Sequence, residues 1–186
     1  MKKVFLLVLI SAFATSVFSQ PTSQIRPIQW FSFEDALMYN SERAAFGLPT
    51  KKLFVDVYTD WCGWCKRMDA TTFSHPVIAE LLNSDWIPVK LNAERTDTVI
   101  INEQTFVNEN PGGRGGSHQL AQVLLQGQMG YPSVVLIDET GRPIQVLPGY
   151  KTAPQLEMML RYFYTNEYRT TDWEEYQKTF QGIIRE

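Results

Sequence analysis

Short apolar runs alternate along the chain with polar breaks that contain glycine or proline, which predicts a mixed α/β fold. Ser32, three residues before Asp35, is expected to cap the first helix. The order of the elements predicts a central mixed sheet with helices on both faces, a three-layer α/β sandwich. Predicted strands cover 53–58, 86–91, 133–137 and 143–147, with a weaker edge strand at 28–31, and predicted helices cover 33–45, 62–72, 75–82, 118–126, 153–166 and 171–180.

The first nineteen residues have the pattern of a secretory signal peptide. Lys2 and Lys3 precede the apolar run 4–10, and modest side chains lead to Ser19, after which we expect cleavage. A membrane anchor is the alternative, but the stretch from Lys3 to Gln20 is shorter than the roughly 20 residues that a spanning helix needs. We therefore expect an exported protein, periplasmic or extracellular, with no stable membrane insertion after cleavage.

The remaining chain has the length of one domain. Residues 20–29 are polar with two prolines and predict an extended lead-in, and residues 30–186 form the predicted domain. Within it, 95–117 is an insertion that ends in a glycine-rich loop, and 167–186 is a helical extension. The insertion is interpreted as a lid, a docking surface or an ordinary surface loop.

Composition limits the classes of partner. Hydrophobic residues make up 44% of the chain and aromatic residues 13%, which is enough for a substantial core. Loss of Lys2 and Lys3 changes the formal charge from −3 to −5. A mildly acidic protein is a poor candidate for binding nucleic acid or anionic membrane surfaces.

The candidate chemistry lies in Trp61-Cys62-Gly63-Trp64-Cys65, directly after the apolar strand 53–58. These are the only two cysteines, and a bridge between them closes a loop so short that it stabilises the fold by roughly 2 kcal/mol at most. The spacing therefore predicts a redox pair. We expect Cys62 to be exposed at the helix start, with a lowered pKa, and to attack, and Cys65 to resolve the mixed disulfide.

Two other interpretations of the cysteine pair are an inert bridge and half of a zinc site. Structural zinc needs four ligands, and His75 and His118 have no recognisable ligand spacing to the pair. We expect no metal and no cofactor besides the redox-active disulfide of Cys62 and Cys65.

Two ionisable residues interrupt the apolar strands. Asp56 is the polar residue within the strand 53–58, and burial of a carboxylate is costly unless it is paired or protonated. It fits the position of a proton acceptor for Cys65, although a locally solvated strand position is the alternative. Lys90, in the strand 86–91, is placed to reach Asp56 or, equally, to face solvent.

The Tyr131-Pro132 step precedes the strand 133–137. A cis proline here would place a backbone edge beside the thiols, whereas an ordinary trans proline that begins a strand is the better choice from this step alone. Trp61 and Trp64 offer an apolar patch to a docking substrate, and local packing is the alternative for Trp61.

Residues 52–163 together resemble the thioredoxin superfamily. The resemblance rests on the segments 54–66, 89–92 and 130–133 and on Gly149, in the same order along the chain. It implies the thioredoxin fold, attack by Cys62 and resolution by Cys65. It further implies a buried Asp56 that assists proton transfer and a cis Pro132 beside the disulfide. The segment 73–82 resembles that of exported members, including the soluble domain of envelope reductant-transfer proteins.

The resemblance implies an exported thiol–disulfide oxidoreductase that acts on protein thiols and disulfides, with a membrane thiol donor as a candidate partner. Candidate substrate contacts are Trp61, Gly63, Trp64 and Tyr131, and Lys90 is expected to support the proton relay. A typical thioredoxin has Gly-Pro where this chain has Gly63-Trp64, and this dipeptide helps to set the redox potential. Reduction of protein disulfides is our first expectation, and an oxidase, an isomerase or a non-cycling binding module are the alternatives.

Overall fold

The computed structural model of the protein describes residues 26–113 and 115–185. The predicted signal peptide at 1–19 lies outside these residues, as does 20–25 of the predicted lead-in. Among the residues described, no helix is both long and apolar enough to span a membrane.

The core of the molecule is a four-stranded mixed sheet flanked by helices, as the sequence predicts. The strands lie in the order β2-β1-β5-β6; β1 is parallel to β2, and the other pairs are antiparallel. The elements are α1 (Phe33–Ala45), β1 (Leu53–Tyr58), α2 (Gly63–Met68), a π-helix (Asp69–Phe73), α3 (Pro76–Asp85), β2 (Ile87–Asn92), β3 (Val99–Ile101), β4 (Gln104–Phe106), α4 (Gln119–Leu124), β5 (Ser133–Ile137), β6 (Pro143–Pro148), α5 (Ala153–Tyr164), a 3₁₀ turn (Glu167–Arg169) and α6 (Trp173–Thr179).

The two faces of the sheet bury alternate residues of the same strands, because successive side chains of a strand point to opposite faces. Val55 and Val57 pack with α1, α4 and the β3–β4 hairpin, whereas Phe54 packs with α2, α3 and α5. Asp56 has the parity of Phe54 and therefore lies on the face that α2 covers. This parity brings its carboxyl group to the same side of the sheet as the cysteine helix.

The helix starts follow local capping chemistry. Ser32 Oγ accepts a hydrogen bond from the Asp35 N–H, as predicted. His75 and His118, considered above as metal ligands, each cap a helix through Nδ1. Thr152 begins α5 with a reciprocal capping box that the sequence interpretation did not identify.

Three predicted elements differ from the structure. The edge strand at 28–31 is reduced to a single bridge between Phe31 and Val89. The helix at 62–72 changes after Met68 into the π-helix 69–73. The insertion 95–117 is more than a surface loop, because its hairpin buries Val99 and Phe106 in the core.

Candidate active site

The cysteine pair lies at the start of α2, where β1 ends. Cys62 and Cys65 form a disulfide with a Cα–Cα distance of 5.3 Å. Cys62 is the N-cap residue of α2, and its Sγ accepts a hydrogen bond from the Cys65 N–H at 3.0 Å. The same N–H favours a negative charge on that sulfur once the disulfide opens. The pair can therefore supply a stabilised thiolate at a helix start.

The expected exposure of Cys62 is wrong for this disulfide form. Cys62 is only 4% exposed, because its sulfur is bonded to Cys65 and faces the Cys65 N–H rather than solvent. The adjoining Gly63 is exposed, and no atom beyond its chain neighbours and its own helix backbone comes within 4 Å of the position that a Cβ would occupy there. Among the described residues, no group of three or more His, Cys, Asp or Glu side chains is placed to hold a metal ion.

A cis proline lies at the same edge of the sheet. The Tyr131–Pro132 bond is cis, and the Pro132 carbonyl accepts the Gly149 N–H at 2.8 Å. Gly149 has a φ of +81°, a conformation that glycine adopts without a Cβ penalty. The next residue, Ser133, pairs with Val57 near the end of β1. The cis bond therefore lies at the edge of the sheet from which the chain continues to Cys62. The Tyr131-Pro132 step alone did not favour this conformation.

Asp56 and Lys90 form a buried ion pair. They are opposite one another in the parallel register of β1 and β2, and Lys90 Nζ donates to Asp56 Oδ2 at 2.6 Å. Asp56 is 1% exposed, and no described residue donates to its Oδ1. Burial raises the pKa of Asp56 to about 6, although the charge and hydrogen bond of Lys90 act in the opposite direction. The carboxyl group is thus a base close to neutral pH.

Lys90 also contacts a second carboxylate, that of Asp69, which the sequence interpretation missed. Burial would lower the pKa of Lys90, but Asp56 and Asp69 outweigh this and raise it. Its ammonium lies about 5 Å from three aromatic rings, those of Trp30, Tyr58 and Phe73. Asp69 lies four residues after Cys65, so helical spacing was the available indication that it shares a face with the pair.

The two tryptophans flank the disulfide and are the exposed part of the motif, at 67% for Trp61 and 57% for Trp64. Trp61 Nε1 donates to Glu94 at 3.0 Å, and its ring meets the edge of Tyr131 at 5.9 Å between centroids. Trp61 therefore packs locally and remains accessible.

Trp64 lies against a different set of partners, Tyr150 at 5.5 Å between ring centroids and Arg67 at 5.4 Å. Glu94 and Tyr150 were not among the predicted site residues. Each follows a strand end that reaches this edge of the sheet, and only the strand order shows that these ends meet there.

A disulfide at a helix start, a cis proline beside it and a buried carboxylate on the adjoining strand define the class of thiol–disulfide oxidoreductases built on the thioredoxin fold. The chain belongs to the thioredoxin-like family: the model of the thioredoxin-like domain matches residues 39–164.

The comparisons with solved structures agree with this fold. A protein of Archaeoglobus fulgidus described as uncharacterized is 30% identical over 110 residues, which is 58% of this chain and 78% of that protein. A thioredoxin from Thermus thermophilus superposes with a TM-score of 0.52 at 15% identity, covering 80% of this chain and 99% of that one. The structure titled DsbH oxidoreductase gives 0.50 at 15% identity, covering 82% and 95%.

Proposed function

We propose that this protein is an exported reductase of protein disulfides. The observation that carries the proposal is the meeting, at one edge of the sheet, of the Cys62–Cys65 disulfide, cis Pro132 and the Asp56–Lys90 pair. A disulfide that served only as a staple would not need a buried base on the adjoining strand.

The reaction proceeds by two thiol–disulfide exchanges. In the dithiol form the Cys62 thiolate attacks one sulfur of a substrate disulfide, whose bond breaks and releases the first substrate thiolate, which takes up a proton. The Cys65 thiol then loses its proton to Asp56 and attacks the Cys62 sulfur, whose bond to the substrate breaks. The second substrate thiolate leaves and takes up a proton, and Asp56 gives up the proton that it accepted. The substrate gains two electrons and two protons, and the protein ends as the disulfide.

Lys90 is a positioning residue in this scheme, since it holds Asp56 through the 2.6 Å hydrogen bond. Pro132 guides the substrate chain past the disulfide, and Trp61, Gly63, Trp64 and Tyr131 contact it. The exposure of both tryptophans supports this assignment.

Export follows from the signal peptide predicted at 1–19. Outside the cytosol, regeneration of the dithiol needs two electrons from a thiol donor, for which a membrane-bound dithiol is the class of partner we propose. Fractionation followed by N-terminal sequencing tests this, with Gln20 expected as the first residue of the exported form.

Insulin reduction with dithiothreitol as the electron source tests the activity. Wild type is expected to accelerate precipitation of the insulin B chain, and Cys62→Ser to abolish the acceleration. Cys65→Ser should accumulate mixed disulfides with substrate proteins, which mass spectrometry identifies. Unchanged turnover in Cys62→Ser would contradict the proposal, and a Cys65→Ser variant that traps nothing would favour a binding module whose disulfide does not cycle.

The redox potential decides the direction. Equilibration with thiol–disulfide buffers is expected to give a value near that of thioredoxin, about −270 mV. A value near about −120 mV, as for a strong oxidant, would assign the protein as an oxidase.

A further inference from the structure

The two sides of the active-site edge carry opposite charge. Three strands end at this edge: β1 is followed by Cys62, β2 by Glu94 and β6 by Tyr150. The fourth strand, β5, begins here, directly after Pro132. The order β2-β1-β5-β6 therefore places Glu94 and Tyr150 at opposite ends, with the disulfide and the cis proline between them. Neighbouring strands lie about 4.8 Å apart, so the two ends are separated by about 14 Å.

Among the described residues, the charged side chains that line the β2 side are acidic. A groove of about 550 Å³ adjoins Trp61, and Asp60 and Glu94 line it. Gly112, Gly113, Gly115 and Gly116 of the insertion form its other wall. Arg95 adds no free cation on this side, because Glu34 and Asp97 bind its guanidinium from two directions.

Glu94 is also close to the substrate-facing aromatic residues. Burial raises the pKa of Tyr131, and the charge of Glu94 raises it further. Glu94 reaches Trp61 through its Nε1 hydrogen bond. The negative charge thus lies against the aromatic residues that border the disulfide.

The β6 side is cationic. Arg67 is exposed and stacks on Trp64, and Lys66 beside it is exposed as well. The hydrogen bond between the Thr71 and Tyr150 hydroxyl groups lowers the pKa of Tyr150, and the proximity of Arg67 contributes to this shift. Lys151, which follows Tyr150, adds a third positive charge that hydrogen-bonds the Pro148 and Gly149 carbonyls.

We propose that this edge binds its substrate in one orientation, as an extended polypeptide with a basic residue on one side of the target cysteine and an acidic residue on the other. The basic residue lies in the groove of Asp60 and Glu94, and the acidic residue lies against Arg67. This inference rests on the proposed reductase activity and specifies the substrate class that the site prefers. A span of about 14 Å corresponds to about four residues of extended chain, so each charge lies about two residues from the cysteine.

Three peptides test the preference. Each has a single cysteine blocked as a mixed disulfide with thionitrobenzoate, whose release on attack is coloured. One has Lys two residues before the cysteine and Glu two residues after, the second has these two residues exchanged, and the third has Ala at both positions. The purified dithiol protein is mixed with each peptide at low ionic strength, and the second-order rate constant is measured.

The two charged peptides have the same composition and are expected to differ by about five-fold, as one exposed ion pair at each flank would give. Screening by 0.5 M salt, at a Debye length of about 4 Å, is expected to remove the difference. The Asp60→Asn/Glu94→Gln double variant and Arg67→Gln should each reduce it to about two-fold or less, after normalisation to the Ala peptide. Both amide replacements keep an oxygen for the Asn92 and Trp61 donors.

Matched control variants lie at the opposite edge of the sheet. Glu103 is exposed at the turn between β3 and β4. The residues before it, Ile101 and Asn102, lie near Leu53 at the start of β1. Arg43 is half-buried and donates to the carbonyl of Pro49, which precedes β1. Arg43→Gln makes the same change of charge as Arg67→Gln, and Glu103→Gln removes one of the two negative charges that the double variant removes. Both control variants should leave the preference unchanged.

Each outcome separates the two proposals. Equal rates for the charged peptides, with the Ala peptide reduced normally, would overturn the preference and leave the reductase function intact. A preference that persists in the double variant, or that disappears in the control variants, would also overturn it. Failure to reduce any of the three peptides would overturn both proposals.

Discussion

Asp56 is a residue at which stability and the proposed activity have opposite requirements. Its carboxyl group is 1% exposed, receives one hydrogen bond from Lys90 at 2.6 Å and has a second oxygen without a described partner. The folded protein therefore holds a proton on Asp56 up to a higher pH than the unfolded chain does. At neutral pH Asp56 is ionised, which destabilises the folded state. The ionised carboxylate is the form that accepts the Cys65 proton in the resolving step.

Replacing Asp56 by Asn is expected to stabilise the protein at neutral pH. The pKa of Asp56 is about 6 in the folded protein and the ordinary value of an aspartate is 3.8. The folded state therefore binds more protons between these values, and wild-type stability falls as pH rises through them. Two pKa units correspond to about 3 kcal/mol. Urea unfolding should show the gain of Asp56→Asn growing from pH 4 to pH 7, together with slower resolution of mixed disulfides.

Lys90→Met tests the effect of the lysine on the pKa of Asp56. Since the charge and hydrogen bond of Lys90 lower the pKa of Asp56, their removal should raise that pKa above about 6, which carboxyl NMR titration measures. An Asp56 pKa that stays the same in Lys90→Met, or a gain from Asp56→Asn that is independent of pH, would show that the pair does not act as described.

The elements near the active-site edge differ in how well the sequence predicts them. β1 has the predicted bounds, because an apolar run with one polar residue is a strong local pattern. The hairpin of β3 and β4 has three residues in each strand, and its burial depends on contacts with α1 and α4 that no local pattern reveals. The insertion wall of the acidic groove is thus attached to the core.

Phe106→Ala should destabilise the whole protein, because this ring is 7% exposed and packs in the core beside the sheet. Truncation of a buried phenylalanine costs about 3–5 kcal/mol. Ile100→Ala is the matched control on the same hairpin, since Ile100 is 66% exposed, and should change stability by less than about 0.5 kcal/mol. Equal effects in thermal and urea unfolding would mean that the hairpin is not part of the cooperative fold.

At the scale of the whole molecule, the C-terminal extension is attached through a buried carboxylate. Glu157 on α5 has no exposed surface and accepts hydrogen bonds from the Ile183 and Ile184 N–H groups and from Arg161. Burial would raise the pKa of Glu157, but these hydrogen bonds outweigh it and lower the pKa. Its stabilising contribution is therefore present above the unfolded pKa and is lost as pH falls through the folded value.

Deletion of residues 181–186 should destabilise the protein by about 1–3 kcal/mol at neutral pH, because it leaves a buried acceptor without two of its donors. The loss should shrink in acid. Glu157→Gln and the deletion act on the same contact, so their combined cost should be less than the sum of the two. Additive losses in a double-mutant cycle would place the attachment of the tail elsewhere.

The sequence predicted the local parts of this molecule better than the contacts between distant parts. The cysteine pair and the strand that delivers it follow from short patterns, whereas the sequence left Lys90 equally placed to reach Asp56 or to face solvent. The second carboxylate at Lys90 and the attachment of the tail to Glu157 depend on the packing of segments far apart in sequence. Such contacts leave no periodic signature in the chain.

The central claim is that the Cys62 sulfur becomes a reactive thiolate when the disulfide opens, although it is only 4% exposed in the closed form. Alkylation of the folded dithiol protein with iodoacetamide over a pH series, read out by peptide mass spectrometry, tests this directly. We predict that Cys62 reacts with an apparent pKa below the ordinary thiol value of about 8.5, while Cys65 stays protected. Absence of reaction at both cysteines near neutral pH, until the protein is unfolded, would contradict the account.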